Sequence, residues 1–205
     1  MPFRGSIRRM TPPRQIRARY DADTITVYQA YDPAIAEPAL AAQTFVPPFK
    51  RARMTWVKPS FLWMMYRSGW AAKPGQTRVL ALSITRAGFE WALTHACGST
   101  PAPGEIHDTW QTRLANAPVR IQWDPERDLH LNRLEHRSIQ IGLAPEAVDH
   151  YVTTWITKIE DATLLAHQIA THLNTGDTEA ARALLPEERP YPLDELLARH
   201  INASA

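Results

Sequence analysis

Residues 51–70 bring together aromatic and basic side chains that are suited to holding a nucleotide. The segment contains three of the seven tryptophans, three of the five methionines, and four basic residues without an acidic one. Aromatic faces with cations between them stack on a base or a nicotinamide ring, and Lys and Arg meet phosphate oxygens. A core rich in Trp and Met with a basic rim would have the same composition. The candidate ligand-binding side chains are Trp56, Lys58, Trp63, Tyr66, Arg67 and Trp70.

A second candidate cluster consists of Arg14, Arg17 and Arg19. Guanidinium groups that project from an early strand can each grip a phosphate through two hydrogen bonds. A solvated basic edge is the alternative interpretation. Residues 1–90 contain 14 basic and five acidic residues, a net charge of +9, whereas residues 91–205 contain nine and 16, a net charge of −7. This asymmetry indicates an anionic partner such as a nucleotide, a nucleic acid or an acidic surface, unless the two halves compensate each other within the fold.

The third candidate cluster joins residues 122–127 to residues 135–140 and supplies carboxylates, a histidine and an amide at strand ends. A carboxylate such as Glu135 there could orient a ribose hydroxyl or act as a general base. Gln140 offers an amide for the same hydroxyl. A turn followed by an ordinary edge strand is the alternative.

Several other chemistries are not indicated. The sequence has no Gly-rich dinucleotide fingerprint, no Walker A loop and no zinc-protease motif. The eight histidines are scattered, and His167 and His172 lie five apart on a predicted helix, so no metal site is expected. Cys97 is the single cysteine, which excludes an intrachain disulfide and fits a reducing cytoplasm. No apolar run reaches the roughly 18 residues of a membrane span, so no membrane partner is expected.

The elements that must position the central segment follow from its own residues. Met54 to Val57 suits a strand, Pro59 suits the first turn of a helix, and Gly69 suits its end. The helical spacing places one set of side chains, Leu62, Met65 and Tyr66, on the core side. It places Trp63 and Arg67 together on the side that would meet a ligand.

The rest of the chain alternates between strand and helix patterns before it becomes helical. A strand is predicted over 16–31, with a turn at 21–23 before its alternating part from Thr24 on. Further strands are predicted over 78–85, 118–123 and 136–143, with a turn at 124–128. Helices are predicted from Asp32 to Gln43 and from Ala87 to Ala96, and the pattern is helical from about residue 145. We therefore expect an α+β fold: a mixed, largely antiparallel sheet with flanking helices and a helical C-terminal part. Residues 1–13 are expected to form a flexible basic arm and residues 14–205 a single domain.

Five strings of the sequence resemble those of one family of bacterial and fungal proteins, a domain-of-unknown-function family of the DUF4291 type. They are residues 16–21 (IRARYD), 27–31 (VYQAY), 53–70 (RMTWVKPSFLWMMYRSGW), 122–127 (QWDPER) and 137–143 (RSIQIGL). The resemblance covers roughly residues 14 to 185 and implies one domain over this length. It implies no activity.

A weaker resemblance is to ADP-ribosyltransferase-like folds. Their pattern is an early strand with Arg or His, a middle strand and helix whose aromatic residues hold nicotinamide, and a late strand with Glu or Gln. In this chain Arg17 or Arg19, then Trp63 or Tyr66, then Gln140 or Glu135 follow that order. The resemblance implies NAD as cofactor and a nucleotide or nucleic acid as acceptor.

The first functional hypothesis is therefore a nucleotide-directed enzyme, with NAD-dependent ADP-ribosyl transfer as its reaction. Arg17 and Arg19 would bind the pyrophosphate, with Lys58 and Arg67 as further cofactor-binding cations. The other expected site residues are Trp63 and Tyr66 on the nicotinamide, and Gln140 or Glu135 on the ribose. The alternatives are a non-catalytic nucleic-acid-binding module, or a protein-interaction module that exposes the Trp-rich segment.

Overall fold

The strands of the protein form three small sheets, in a computed structural model that describes residues 11–102 and 104–204. Within the described residues every strand pair is antiparallel except β5 with β6. The two-stranded sheet pairs β1 (Arg17–Ala18) with β9 (Arg189–Pro190). The three-stranded sheet has the order β2 (Thr24–Tyr31), β4 (Arg78–Thr85), β8 (Ile156–Asp161). The four-stranded sheet has the order β3 (Thr55–Val57), β7 (Arg133–Leu143), β6 (Val119–Arg127), β5 (Ala96–Gly98).

The helices flank these sheets and dominate the C-terminal part. They are α1 (Pro33–Ala42), α2 (Phe61–Ser68), α3 (Arg86–Thr94), α4 (His107–Asn116), α5 (Pro145–His150), α6 (Thr163–Asn174), α7 (Thr178–Ala183) and α8 (Glu195–His200). A π-helical turn, Tyr151–Trp155, extends α5. The α+β class with largely antiparallel pairing, flanking helices and a helical C-terminal part is confirmed. In the part of the chain that the structure describes, no helix has the length and apolarity to cross a bilayer.

The helix predicted in the central segment is present, but Pro59 precedes its N-cap and does not lie in its first turn. The Ser60 hydroxyl accepts a hydrogen bond from the backbone N–H of Trp63 (3.1 Å) and so caps α2. Gly69 ends the helix at φ 60°, a left-handed conformation in which a side chain would be strained. Together these caps set where α2 begins and ends, and hence which of its side chains can reach a site.

The turn predicted at Asp21 to Asp23 is confirmed, and it separates β1 from β2. Two other boundaries differ from the sequence expectation. The expected turn at Asp124 is absent, since β6 continues to Arg127 and the chain reverses at residues 128–132. The C-terminal part contains a strand, β8, which pairs with β4. Most of the expected N-terminal arm, residues 1–10, lies outside the described residues, but the Pro13 carbonyl accepts a hydrogen bond from Arg137 N–H (2.8 Å).

The core is divided between the two faces of the three-stranded sheet. Successive side chains of β2 point to opposite faces of this sheet. Ile25 and Val27 therefore enter the main core, while Tyr28 packs on α2. The four-stranded sheet contributes one apolar face to the main core, which includes Ile121, Ile139 and Ile141. The residues that alternate with these along the strands form the opposite face. They are mostly polar and include one aromatic ring: Trp56, Arg120, Gln122, Asp124 and Gln140.

Candidate functional site

A cavity of about 470 Å³, here the Lys58 cavity, opens where the polar face of the four-stranded sheet meets α2. Its walls come from β2, β3, α2, β7 and the loop at 74–76. It is lined by Gln29, Ala30, Tyr31, Met54, Thr55, Trp56, Lys58, Met64, Arg67, Pro74, Gly75, Gln76 and Gln140. Four of the residues that the sequence singled out line it: Trp56, Lys58 and Arg67 from the central segment 51–70, and Gln140 from the third cluster.

The backbone of Lys58 is held firmly at the junction of the two large sheets. Its carbonyl accepts a hydrogen bond from Tyr28 N–H (2.7 Å), and its own N–H donates to the Tyr28 carbonyl (3.3 Å). The side chain is 6% exposed, and Nζ donates to the Trp56 carbonyl at 3.3 Å. The ammonium group also lies 5.5 Å from the centre of the Trp63 ring. Within the described residues no carboxylate lies within 4.0 Å of Lys58 Nζ.

These surroundings lower the pKa of the Lys58 ammonium group from 10.5 to about 7. Burial is the largest cause, because an enclosed cation loses its hydration. The positive charge of Arg67 lowers the pKa further, and the carboxylate of Asp124 acts in the opposite direction. Lys58 therefore changes its charge near neutral pH, and an anion in the cavity would favour the protonated form.

The Trp56 ring forms one wall of the cavity by lying against Gly142 of the neighbouring strand. The two residues are paired in register between β3 and β7. A Cβ atom on Gly142 would lie 2.9 Å from two atoms of the indole ring, which is closer than such contacts occur. Glycine at this position thus allows the ring to lie on the sheet, where one face of it lines the cavity.

Gln140 presents one defined end of its amide group to the site. Its Nε2 donates a hydrogen bond to the Asp124 carboxylate, which also accepts one from Gln122 Nε2 (2.8 Å). With the amide nitrogen oriented in this way, the carbonyl oxygen is the end left for a ligand, and no described residue donates a hydrogen bond to it. An acceptor of this kind suits a sugar hydroxyl.

Sequence reasoning missed Gln29, which organises the inner wall. It is 2% exposed, and its carbonyl oxygen accepts a hydrogen bond from the Tyr151 hydroxyl (2.8 Å). Its Nε2 donates to Thr55 Oγ1 (2.7 Å) and contacts the Tyr31 hydroxyl (2.9 Å). The available signal was an amide within an otherwise apolar stretch of β2, since buried polar groups require partners.

Arg17 lies elsewhere, beside two carboxylates that we call the carboxylate pair, Glu126 and Glu188. Arg17 donates to the Glu188 carbonyl (2.9 Å) and to Gln15 Oε1 (3.2 Å). The Glu188 carboxylate accepts a hydrogen bond from Phe61 N–H (2.7 Å), the first backbone group of α2. Glu126 accepts one from Arg127 N–H (2.8 Å). Arg17 therefore lies near one buried and one half-buried acid and does not line the Lys58 cavity.

Burial raises the pKa of both members of the carboxylate pair. For Glu188 the value is about 8: burial raises it most, the Phe61 hydrogen bond lowers it, and the charge of Glu126 raises it. For Glu126 burial likewise exceeds the lowering by its hydrogen bonds to Arg127 N–H and to Ser60. Two like charges held close together disfavour double ionisation, so the pair is at least partly protonated at neutral pH.

Four further residues predicted for the site do not line the Lys58 cavity. Arg19 lies in a separate surface depression with Glu187 and Arg189. Glu135 is exposed on β7. Trp63 and Tyr66 have the opposite exposure to that expected from the helical spacing. Trp63 is 5% exposed and packs beneath Lys58, whereas Tyr66 is 38% exposed. The guanidinium carbon of Arg127 lies 3.5 Å from the centre of the Tyr66 ring, so one face of that ring is already covered.

Comparison with known proteins identifies one family model, described as "Domain of unknown function (DUF4291)", which matches residues 15–191. The match spans most of the chain and includes every residue that lines the Lys58 cavity. No curated protein matches the sequence. The description assigns no activity, so a function has to be argued from the geometry of the site.

Proposed function

The chain belongs to the DUF4291 family of unknown function, and from that starting point we propose that it binds a nucleotide in the Lys58 cavity. The phosphates lie between Lys58 and Arg67, and the ring of Trp56 supports a flat part of the ligand. The volume of about 470 Å³ is within the usual range for sites of small ligands.

The observation that carries this proposal is a buried lysine that faces a cavity together with an arginine. An enclosed cation costs free energy unless an anion or several hydrogen bonds compensate it. Lys58 has one long hydrogen bond to a carbonyl and no carboxylate nearby in the described residues. A phosphate between Lys58 and Arg67 supplies the missing charge, and Arg adds directional hydrogen bonds.

Among nucleotides we propose NAD, with ADP-ribosyl transfer as the reaction. Gln140 offers its carbonyl oxygen to a ribose hydroxyl, because its amide nitrogen is held by Asp124. In the transfer, the bond between ribose C1′ and the nicotinamide nitrogen breaks, and neutral nicotinamide leaves with the bonding electron pair. The acceptor, or water, forms the new bond at C1′ and loses a proton. Lys58 and Arg67 hold the pyrophosphate in place during this step.

The two other functions expected from the sequence have less support. The nucleic-acid-binding module was inferred largely from the basic arm, and residues 1–10 lie outside the described part of the chain. The protein-interaction module requires exposed tryptophans, but Trp63 is buried and Trp56 and Trp70 are half-buried. We assign the protein to the cytoplasm as part of the proposal: Cys97, the only cysteine, is buried, and burial raises the pKa of its thiol.

Calorimetric titration of NAD and of ADP-ribose tests the proposal, with nicotinamide release followed by chromatography. We expect Lys58→Met and Arg67→Gln each to weaken NAD binding by about 10- to 100-fold, the loss typical of a charged hydrogen bond. Arg53→Gln is the matched control, because Arg53 belongs to the same segment, is exposed and does not line the cavity. We expect it to change the affinity less than twofold.

The pH dependence of binding gives a second readout of the same site. Since the pKa of Lys58 is about 7 without ligand, affinity for the pyrophosphate should fall as the pH rises above 7. Lys58→Met should remove this fall, whereas Arg53→Gln should retain it. If the wild-type protein binds neither NAD nor ADP-ribose and releases no nicotinamide, the proposal is refuted.

A further inference from the structure

A larger cavity of about 830 Å³, here the arginine cavity, lies at the edge of the four-stranded sheet where β5 ends after Gly98. Its basic lining residues come from four parts of the chain: Arg14, Arg113, Arg137 and His200. No Asp or Glu is present among the lining residues that the structure describes. None of its lining residues also lines the Lys58 cavity.

Two of these arginines lack an acidic partner in the described residues. Arg14 and Arg137 form a parallel bridge through their backbones, which fixes both at one side of the cavity. Arg137 Nη1 donates to the Trp123 carbonyl (2.9 Å), and no described carboxylate lies within 4.0 Å of either guanidinium group. Arg113 differs, because it pairs with Glu105 at 2.7 Å. Arg14 and Arg137 therefore contribute the charge that remains available to an anion.

Trp123 places an aromatic surface beside these charges. Its indole N–H donates a hydrogen bond to the Ile201 carbonyl (2.9 Å), which fixes the orientation of the ring. The residue is half-buried and lines the cavity together with Gln122. A fixed aromatic ring next to unpaired guanidinium groups suits a ligand that has both a flat ring and a phosphate.

We propose that the arginine cavity is a second anion site, which binds the phosphate monoester of a nucleotide with the base against Trp123. The fork of an Arg side chain matches the oxygens of a terminal phosphate, and the volume is sufficient for a mononucleotide. Two sources carry such a monoester, a free nucleotide and the 5′ end of a nucleic-acid strand, and the probes below distinguish them. The proposal rests on residues outside the Lys58 cavity and does not depend on NAD binding.

The two cavities are connected by a short chain of hydrogen bonds. Gln122 of the arginine cavity and Gln140 of the Lys58 cavity both donate to the carboxylate of Asp124. The two glutamines are also directly paired between β6 and β7.

Calorimetry at low salt with four probes tests the second site: AMP, a single-stranded hexanucleotide with a 5′ phosphate, the same strand without it, and inorganic phosphate. The protein is the full chain, as wild type and as the Arg14→Gln/Arg137→Gln, Trp123→Leu, Lys58→Met and Arg182→Gln variants. The double variant should bind the phosphorylated probes about 10- to 100-fold more weakly. Because the Lys58 cavity is itself proposed to hold a nucleotide, the same comparison is made in the Lys58→Met background, where Arg14→Gln/Arg137→Gln should still cause this loss.

Arg182→Gln is the control for the loss of one surface charge, because Arg182 is exposed on α7 and does not line either cavity. Circular dichroism and the melting temperature establish that each variant is folded. If AMP binds more tightly than the 5′-phosphorylated strand, the ligand is a free nucleotide. If the strand binds more tightly, the ligand is the 5′ end of a nucleic acid. The proposal is overturned if no phosphorylated probe binds the wild type, or if the double variant binds like Arg182→Gln. It is also overturned if the unphosphorylated strand binds as tightly as the phosphorylated strand, or if inorganic phosphate binds as tightly as AMP.

Discussion

The Lys58 cavity and the carboxylate pair both enclose ionisable groups against α2, but the hydrogen bonds that the fold supplies are shorter at the carboxylate pair than at Lys58. Glu188 accepts a hydrogen bond from Phe61 N–H at the beginning of α2, where the helix dipole favours an acceptor. Glu126 accepts one from the next residue, Arg127. Lys58, in contrast, has one hydrogen bond of 3.3 Å.

Because of this difference, we interpret the carboxylate pair as a structural cluster and propose the Lys58 cavity as a binding site. A buried polar group whose hydrogen bonds are made within the fold stabilises the native state, and its removal leaves its partners unsatisfied. A buried cation that faces a cavity without a counter-ion within 4.0 Å is costly to the fold, which is why we propose a ligand for it. Replacement of a cation by a neutral residue should therefore raise stability at Lys58 and lower it at Arg17 beside the carboxylate pair.

The largest expected effect is a gain in stability on removal of the Lys58 charge. Lys58→Met should raise the free energy of unfolding by about 2–4 kcal/mol at pH 6, because the folded wild type must then protonate a buried amine. The lowered pKa means that the wild type becomes more stable as the pH rises from about 7 towards 10.5, so the advantage of the variant should decline over that range. Urea unfolding at pH 6, 8 and 9.5 measures it. An equal loss of stability at every pH would instead make Lys58 a structural residue.

Removal of the positive charge of Arg17, which lies beside the carboxylate pair, should destabilise the protein. Arg17→Gln deletes the hydrogen bond to the Glu188 carbonyl and a positive charge near both acids, with an expected loss of about 1–2 kcal/mol. Urea unfolding at pH 7 is the measurement, and NAD affinity should be unchanged because Arg17 does not line the Lys58 cavity. Arg19→Gln, which changes an exposed Arg two residues away, is the control and should stay within about 0.5 kcal/mol. A loss of NAD binding in Arg17→Gln would return this arginine to the site that the sequence predicted.

Local signals in the sequence were sufficient for the elements that carry the site. Pro59 and Gly69 predicted the bounds of α2 to within two residues, since the signals that begin and end a helix lie close to it in the chain. The assignment of its faces was less successful. Nearly all side chains of α2 are large or apolar, so the pattern contains no polar stripe that would distinguish Tyr66 from Trp63.

The positions of the three N-terminal arginines could not be predicted from the sequence, because they depend on contacts between distant segments. Arg14, Arg17 and Arg19 look like one cluster in the sequence, but β1 is two residues long and pairs with β9, about 170 residues further on. This pairing brings Glu188 to Arg17 and leaves Arg14 at a different cavity. No local pattern encodes such a pairing, because register between short strands is set by tertiary packing.

The free energy of unfolding should depend on pH through Glu188. The raised pKa of Glu188 means that the folded state binds a proton that the unfolded state has released, so wild-type stability should fall as the pH rises from about 4.5 to about 8. Glu188→Gln retains an acceptor for Phe61 N–H without the charge, and its advantage should grow over that range to about 1 kcal/mol. Urea unfolding at pH 5, 6.5 and 8 tests this. A variant that is less stable than the wild type at pH 8 would show that the ionised carboxylate is the stabilising form.

The smallest effect concerns Tyr66, for which the sequence and the structure make different predictions. In the structure its ring stacks against Arg127 at 3.5 Å, so Tyr66→Leu should cost about 0.5–1 kcal/mol of stability and leave NAD affinity unchanged. If Tyr66 instead holds the nicotinamide, as the order of residues in the sequence suggested, the same substitution should weaken NAD binding by about tenfold or more. Trp56→Leu is the paired variant, because Trp56 lines the Lys58 cavity and Tyr66 does not. Calorimetry on both variants decides which aromatic ring meets the ligand, since only one of the two should lose affinity.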